Sequence, residues 1–384
     1  MLLAAMALDL GGAETHVVSL ARALRRRGLE AEVVSGGGRL VARLAEAGIP
    51  HHFLPLASRQ PWRLASAVKG LRALVRRRGI ELVHAHARIP AWVADHALAG
   101  SDVPLVTTYH GLYQGGWFWR RVTRWGELVI AVSEDVRDHL VRRLGADPSR
   151  VLVIPNGIDL QEYAPASATP APAGLDLPAD APLVLHVSRL SEFTETALAL
   201  AEVAPRLAAE VPGARVLVAG AGHALERVRR AAEEANARAG RTVVEAPGAR
   251  QDVPALLLRA WLVVAVGRSA LEAMAAGRPV IISGNGGYGG ILSEERLADF
   301  EARNFTARGF GRPIEAANLL PDLLRLLRDE PLRRRLGALG RETVHRRYSV
   351  EQTAARVEEV YRRAVAARAG RALAGGTRGG AGKP

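Results

Sequence analysis

Short apolar runs rich in Val, Ile and Leu alternate along the chain with amphipathic stretches that contain Arg. This alternation is typical of a parallel β-sheet covered by helices. In the first half the predicted strands are residues 2–7, 31–35, 82–85, 105–109, 128–132 and 151–154, and the predicted helices are about 14–27, 62–78, 90–99 and 134–144. In the second half the predicted strands are 183–187, 216–219, 243–245, 262–266 and 280–283, and three helices follow from about residue 316.

A Pro- and Ala-rich, uncharged segment at 164–174 separates the two halves and is typical of a linker. A length of 384 residues also suits two domains. We therefore predict an α/β protein with one Rossmann-like domain at 1–163, a linker at 164–179 and a second Rossmann-like domain at 180–346. The Gly-rich end of the chain predicts a disordered tail.

Composition narrows the classes of protein. The chain has no cysteine, which excludes disulfides, thiolate metal sites and cysteine nucleophiles. The formal net charge is +13, which suits nucleic acid, an anionic membrane or phosphorylated small molecules as partners. No helix-turn-helix, zinc or RNA-binding signature is present, so we do not expect nucleic-acid binding. Neither a secretion signal nor a membrane-spanning run is evident, so we expect a cytoplasmic location.

Ligands of open parallel sheets bind beyond the carboxyl ends of the strands, so the residues just after each strand are the candidates. Gly11 and Gly12 follow the first strand and open a helix, where backbone N–H groups can approach an anion; the alternative is a simple tight turn. The third glycine of the dinucleotide fingerprint is missing, which disfavours a nicotinamide enzyme. His84, His86 and His110 lie at later strand ends; their spacing matches no standard zinc motif, and His110, before a glycine, is the best cleft candidate.

The second half of the chain contains one candidate cation and one candidate carboxylate for a binding site. Arg189 follows the first strand of that half, and its forked guanidinium suits a diphosphate. Gly267 ends a later strand, and Glu272 lies within a turn of the next helix start, where it can bind paired hydroxyls or act as an ordinary capping carboxylate.

Together these segments resemble the retaining nucleotide-sugar glycosyltransferases of family four, which have the GT-B fold with two Rossmann-like domains facing a central cleft. The resemblance covers nearly the whole chain in order. It rests on Gly11-Gly12-Ala13-Glu14, Thr108-Tyr109-His110-Gly111, Pro155-Asn156-Gly157-Ile158-Asp159, Ser188-Arg189-Leu190, Leu271-Glu272-Ala273-Met274-Ala275 and Gly277-Arg278-Pro279-Val280. Arg347-Tyr348-Ser349 also resembles the start of the closing helix of the family, which implies a helix at 347–368 that crosses back to the first domain, followed by the tail at 369–384.

The resemblance implies a transferase that moves a sugar from a nucleotide-diphosphate donor to a cell-envelope, lipid-linked or polysaccharide acceptor with retention, without metal or cofactor. Its implied catalytic residues are His110 near the reacting sugar, Arg189 on the diphosphate and Glu272 on the ribose. The implied donor-binding residues also include Gly11, Gly12, Gly267, Arg268 and Ser269, and the implied acceptor-side residues are Glu14, His16, His86 and Tyr109.

Two positions depart from the family pattern. Where the family places a lysine after Arg189, this chain has Phe193-Thr194-Glu195, and we expect Arg268 to supply the missing charge. The first of two family glutamates falls on Val264, and the glycine-rich loop at 284–290 is expected to provide backbone contacts instead. These departures keep a catalytically degenerate nucleotide-sugar binder open, and an epimerase on the same fold is the other alternative.

The segment 117–125 combines three Trp, one Phe and three Arg, a composition found in segments that lie in a membrane interface. Arg clusters at 25–27 and 76–78 add positive charge to the first domain. We therefore expect peripheral binding to an anionic membrane surface, with a solvated basic face as the alternative.

Overall fold

The computed structural model describes residues 1–9, 11–164, 174–175, 177–178, 180–191, 194–284 and 286–376, with the side chains of 371–376 excepted. The chain divides into two compact units. Unit 1 is Met1–Gly157 together with Val350–Pro384, and unit 2 is Ile158–Ser349. This division lies at 157/158, before the predicted linker at 164–179, most of which falls outside the described residues.

Unit 1 contains a seven-stranded sheet in the order β3-β2-β1-β4-β5-β6-β7, and every pairing in it is parallel. Its strands are β1 Leu2–Ala5, β2 Glu32–Ser35, β3 His51–Phe53, β4 Val83–His86, β5 Leu105–Tyr109, β6 Leu128–Ala131 and β7 Val151–Val153. The helices that connect them are α1 Gly12–Arg26, α2 Val41–Glu46, α3 Pro61–Arg78, α4 Arg88–Ala97, α5 Trp117–Val122 and α6 Glu134–His139. A π-helical turn, Leu140–Leu144, continues α6, and a 3₁₀ turn spans Pro148–Arg150.

Most strands of unit 1 were predicted, because each is a buried apolar run. The predicted strand 105–109 agrees in full with β5. Gly79 ends α3 in the left-handed conformation, which glycine adopts without a steric penalty. Three short elements were not predicted: β3, α2 and α5.

The long C-terminal helix, α14, belongs to unit 1 although the chain reaches it only after unit 2. It spans Val350–Gly376, so the predicted bounds 347–368 were wrong at both ends, and the predicted disorder from residue 369 is contradicted as far as Gly376. Residues 377–384 lie outside the described part. The helix buries Val350, Ala354, Val357, Val360, Tyr361 and Ala364 in the same core as α1.

Unit 2 contains a six-stranded sheet in the order β10-β9-β8-β11-β12-β13. Its strands are β8 Leu183–Val187, β9 Arg215–Ala219, β10 Val244–Gly248, β11 Leu262–Ala265, β12 Val280–Ser283 and β13 Tyr288–Ile291. The helices are α7 Thr194–Glu210, α8 Leu225–Ala239, α9 Val253–Arg259, α10 Arg268–Ala275, α11 Leu297–Ala302, α12 Ala316–Arg328 and α13 Glu330–Arg347, with a 3₁₀ turn at Glu294–Arg296. All pairings are parallel except that of β13, which is antiparallel to β12.

The strand β13 corrects one expectation. The glycine-rich segment 284–290 was predicted as a loop that offers backbone contacts, but its second half pairs with β12 through Ile282 and Gly290. Gly289 fits there because a Cβ would lie 2.9 Å from the Phe300 ring and 3.0 Å from Ile282. Asn285, within the first half of the segment, lies outside the described residues. The backbone groups of β13 therefore serve the sheet.

Candidate functional site

Four histidines gather at the carboxyl edge of the sheet of unit 1. His84 and His86 lie on β4, His110 follows β5, and His16 lies on the second turn of α1. The centroid of the His86 ring lies 4.1 Å from that of His84 and 5.4 Å from that of His110, and the His16 ring lies 5.5 Å from that of His110. His16, His84 and His86 are each at most 3% exposed. The structure thus brings together the histidines that the sequence pattern selected.

Hydrogen bonds organise this cluster into two sets. His84 Nδ1 lies 2.7 Å from the Tyr361 hydroxyl of α14, and its Nε2 lies 2.7 Å from Thr108 Oγ1. His86 Nδ1 lies 3.2 Å from His110 Nε2, and His110 Nδ1 lies 3.1 Å from Asn156 Oδ1. Tyr361 and Asn156 come from distant parts of the sequence, so no local pattern predicted their roles.

Burial keeps the two central histidines neutral. Loss of solvation lowers the pKa of His84 to about 3, and the nearby His110 acts in the same direction. Burial also holds the pKa of His86 well below its ordinary value, and the neighbouring histidines lower it further. At neutral pH both imidazoles are therefore uncharged polar groups at the carboxyl edge of the sheet.

A second group of polar side chains borders the histidines and was mostly missed from the sequence. Arg88 begins α4; its guanidinium lies over the rings of Tyr113 and Trp119, at 5.2 and 4.5 Å, and donates to the Gln114 carbonyl at 2.9 Å. Burial raises the pKa of Tyr113 to about 12, and the nearby Glu14 carboxylate adds to this. The implied acceptor-side residue Glu14 therefore lies close to Tyr113.

The backbone between β4 and α4 is strained at Ala87, which precedes Arg88. Its φ is 91°, a region that residues with a Cβ rarely adopt. Such strain is commonly retained at functional sites, where the surrounding structure holds it in place. The strain marks this edge of unit 1 as a site worth testing.

Three other implied residues of unit 1 have different outcomes. Gly11 and Gly12 lie where α1 begins, with Gly11 as its extended N-cap residue, so their backbone is at the expected helix start. Tyr109 is fully buried, and its hydroxyl donates to the Arg124 carbonyl at 2.7 Å. Its assignment to the acceptor side was wrong, because the side chain belongs to the core beneath the site.

The corresponding edge of unit 2 is formed by closely packed glycine turns. A Cβ on Gly220 would lie 2.0 Å from the Ser188 carbonyl oxygen, and one on Gly222 would lie 2.4 Å from the Leu190 carbonyl oxygen. Leu190 N–H also donates to the Ala221 carbonyl at 3.0 Å. The glycines therefore fix the segment that carries Arg189, whose exposed side chain forms no ion pair with any described residue.

Glu272 and Arg268 form a buried ion pair on α10. Arg268 Nε lies 2.8 Å from Glu272 Oε1, and the side chains are 7% and 11% exposed. Burial raises the pKa of Glu272, while Arg268 and a hydrogen bond from Tyr163 oppose that rise. In this structure Arg268 Nε is directed to Glu272, and the expectation that Arg268 supplies the charge of the missing lysine stays a prediction.

Other positions around α10 complete this edge. Gly267 is the N-cap of α10 with a φ of 59°, and its N–H donates to the Phe305 carbonyl at 2.9 Å. Ser269 lies half-buried in the first turn. Val264 is fully buried in β11, so a core side chain occupies the position of the first family glutamate. Phe193, at the other departure, lies outside the described residues.

Within the described ranges, no three His, Asp or Glu side chains are arranged to hold a metal ion. No helix in that part of the chain is long and apolar enough to span a bilayer.

Two family models match the chain: Glycosyltransferase Family 4 over residues 10–162, and Glycosyl transferases group 1 over residues 169–343. A curated relative, the D-inositol 3-phosphate glycosyltransferase of Kineococcus radiotolerans, is 30% identical over 94% of this chain and 92% of its own length. Among solved structures, a glycosyltransferase from Rickettsia africae aligns with a TM-score of 0.73 at 20% identity, over 95% of this chain and 98% of that one. The Anabaena HepE protein in complex with UDP-glucose aligns with a TM-score of 0.69 at 20% identity, over 93% and 98%. These likenesses show the GT-B type of fold.

Proposed function

Because the chain belongs to the family-four, group 1 glycosyltransferases, we propose that it transfers a hexose from a nucleotide-diphosphate sugar to a polyhydroxy acceptor with retention of anomeric configuration. The observation that carries the proposal is the edge of unit 2, where an exposed guanidinium stands on a segment fixed by glycine turns. A diphosphate leaving group needs such a placed positive charge, and its stabilisation is the main catalytic requirement of the reaction.

Each unit contributes a separate set of residues. In unit 2, Arg189 binds the diphosphate and Glu272 binds the ribose hydroxyls, with Arg268 and Tyr163 orienting its carboxyl group through hydrogen bonds. In unit 1, His110 contacts the reacting sugar, and Glu14, His16 and His86 form the acceptor side; Gly11 and Gly12 present backbone N–H groups. The reaction proceeds without a metal ion, because the guanidinium of Arg189 neutralises the negative charge of the diphosphate in place of a metal cation.

The nature of the donor and acceptor is proposed from the relatives. The Anabaena HepE structure contains UDP-glucose, so a uridine diphosphate hexose is the first donor to test. The Kineococcus relative is a D-inositol 3-phosphate glycosyltransferase, so inositol phosphate belongs in the acceptor panel beside cell-envelope glycans and glycolipids.

We further propose that unit 1 binds anionic membranes through α5 and the π-helical turn, at the cytoplasmic face. Trp117 and Phe118 are 77% and 57% exposed, although aromatic side chains of this size are usually largely buried. Beside them lies a groove of about 620 Å³, lined by Gly116, Trp117, Arg120, Arg121, Arg142 and Arg143. Exposed aromatics next to several arginines match the interface of an anionic bilayer, where the rings enter the headgroup region and the cations meet lipid phosphates.

The donor proposal is tested by titrating a panel of nucleotide sugars into the wild type, Arg189→Ala and Glu272→Ala. Arg238→Ala is the matched control, because it removes an exposed arginine from the last turn of α8. We expect saturable binding of one donor, nucleotide release when an acceptor is added, and a loss of at least tenfold in both site variants only. Binding without turnover would identify a degenerate binder, conversion to an epimeric sugar would identify an epimerase, and no binding would reject the site.

The membrane proposal is tested by flotation with phosphatidylglycerol and phosphatidylcholine vesicles. The variant is Trp117→Ser with Phe118→Ser, and the matched control is Trp62→Ser, since Trp62 is 68% exposed elsewhere on unit 1. We expect the wild type and the control to float only with the anionic vesicles, and the double variant to lose most of this binding. Equal flotation with both lipids, or an effect of the control as large as that of the double variant, would contradict the proposal.

A further inference from the structure

Three side chains in unit 1 form a continuous hydrogen-bonded row: Asn156, His110 and His86. The two contacts are 3.1 and 3.2 Å, and the two imidazole rings are nearly parallel, with an interplanar angle of 18°. Asn156 is 8% exposed and His86 is 3% exposed. The row is therefore shielded enough that each contact has one definite donor and one definite acceptor.

The direction of the hydrogen bonds follows from the proton count. A neutral imidazole carries one N–H, so one ring nitrogen donates and the other accepts. Asn156 presents its carbonyl oxygen, Oδ1, to His110 Nδ1, so His110 Nδ1 must donate. His110 Nε2 then carries a lone pair, and His86 Nδ1 must donate to it.

The end of the row agrees with this direction. His86 Nε2 is left with a lone pair, is buried, and has no hydrogen-bond partner among the described residues. If every bond ran the other way, His86 Nε2 would instead carry a buried N–H without an acceptor, and such orphan donors are rarer than orphan acceptors. Burial also keeps the pKa of His86 well below its ordinary value, so an additional proton on His86 is not expected.

We infer that Asn156 and His86 are positioning residues that together hold His110 in its Nδ1–H tautomer and occupy its Nε2 lone pair. Asn156 thereby sets the tautomer of His86 as well, through His110. The catalytic part of this inference rests on the proposed function. If His110 contacts the reacting sugar, it does so with its ring edge or its backbone, because neither ring nitrogen is available as a general base in this arrangement.

The tautomers are measured by nitrogen NMR on the full chain carrying ¹⁵N-histidine, with His86→Gln and His110→Gln used for assignment. In the wild type we expect a protonated Nδ1 and an unprotonated Nε2 on both His86 and His110. Asn156→Asp keeps an acceptor at the same place and should keep both Nδ1 atoms protonated. Asn156→Leu removes the acceptor of the His110 Nδ1–H, so the Nδ1–H form loses its advantage and a measurable Nε2–H population should appear on both rings.

The simultaneous change at His86 is the decisive readout, because the inferred link between Asn156 and His86 passes through His110. A wild-type spectrum with Nε2–H on His110 would overturn the inference, as would a His86 tautomer that stays the same in Asn156→Leu while His110 changes. The wild-type spectrum alone decides the tautomers if a variant does not fold.

Steady-state kinetics separate this inference from the proposed function. We expect Asn156→Leu to lower kcat at least tenfold with little change in the KM of the donor, and Asn156→Asp to retain most of the activity. Absence of transferase activity in every protein, including the wild type, would reject the proposed function and leave the tautomer result standing. Equal kcat for the Leu and Asp variants would overturn the positioning role.

Discussion

The ion pair between Arg268 and Glu272 leads to a strong prediction about stability. Replacing Arg268 with Ala leaves a carboxylate in a place where the side chains are only 7% and 11% exposed. Breaking a buried pair by removing one partner typically costs about 3–5 kcal/mol. Because Tyr163 still hydrogen-bonds to Glu272, we expect the lower end, about 3 kcal/mol at neutral pH.

The loss of folding stability caused by Arg268→Ala should increase as the pH rises. The pKa of Glu272 is already raised in the folded protein, so the folded state holds its proton more tightly than the unfolded state does. Stability therefore falls as the pH rises from the unfolded pKa, about 4.3, through the folded one. Without Arg268 the folded pKa rises further, so the difference between the variant and the wild type grows with pH and shrinks towards pH 4.

The measurement is urea unfolding of both proteins, followed by circular dichroism at pH 7.5 and pH 4.5. The matched control is Arg206→Ala, which breaks an ion pair with the same i,i+4 spacing whose side chains are 71% and 28% exposed. An exposed pair contributes less than about 1 kcal/mol, so the control should change little. A loss below 1 kcal/mol for Arg268→Ala, or a loss equal at both pH values, would refute the description of Glu272 as a buried, charge-compensated carboxylate.

Four further predictions concern other parts of the structure. Tyr361→Phe leaves His84 Nδ1 without its partner and should lower the free energy of unfolding by about 1–3 kcal/mol in urea titrations. Because the pKa of folded His84 is about 3, stability should also fall on acidification below about pH 6.5, where the unfolded chain binds the proton first; a flat profile between pH 7 and 5 would contradict this. Gly220→Ala should lower the melting temperature and weaken donor binding, because its Cβ would lie 2.0 Å from the Ser188 carbonyl oxygen. By contrast, Gly370→Ala on α14 should raise the free energy of unfolding by about 0.5–1 kcal/mol, because no atom lies within 4 Å of the added Cβ.

The fold was largely predictable because most strands are buried apolar runs, and β5, β8 and β12 have the predicted bounds. The misses have physical reasons. β3 reads His51-His52-Phe53 and is only half-buried, so no apolar run marks it. β13 contains two adjacent glycines, which suggest a loop, and only its pairing with β12 makes it a strand.

The candidate site was predictable where it depends on strand ends. His86 and His110 follow neighbouring parallel strands, so their proximity follows from topology. The partners that set their chemistry are distant in sequence: Asn156 and Tyr361 reach the cluster only through the tertiary fold. Position at a strand end was misleading for Tyr109: its neighbour His110 faces the site, but the Tyr109 side chain is buried in the core.

The discontinuous make-up of unit 1 has a consequence for biosynthesis. Its sheet is complete by Gly157, yet α14, which covers that core and supplies Tyr361, emerges from the ribosome only after the whole of unit 2. Unit 2 is contiguous and can fold during translation, whereas unit 1 must wait with an uncovered apolar face. The nascent first half is therefore expected to be a chaperone client, and a stop codon ahead of α14 should yield an aggregating product even though no residue of the first sheet is missing.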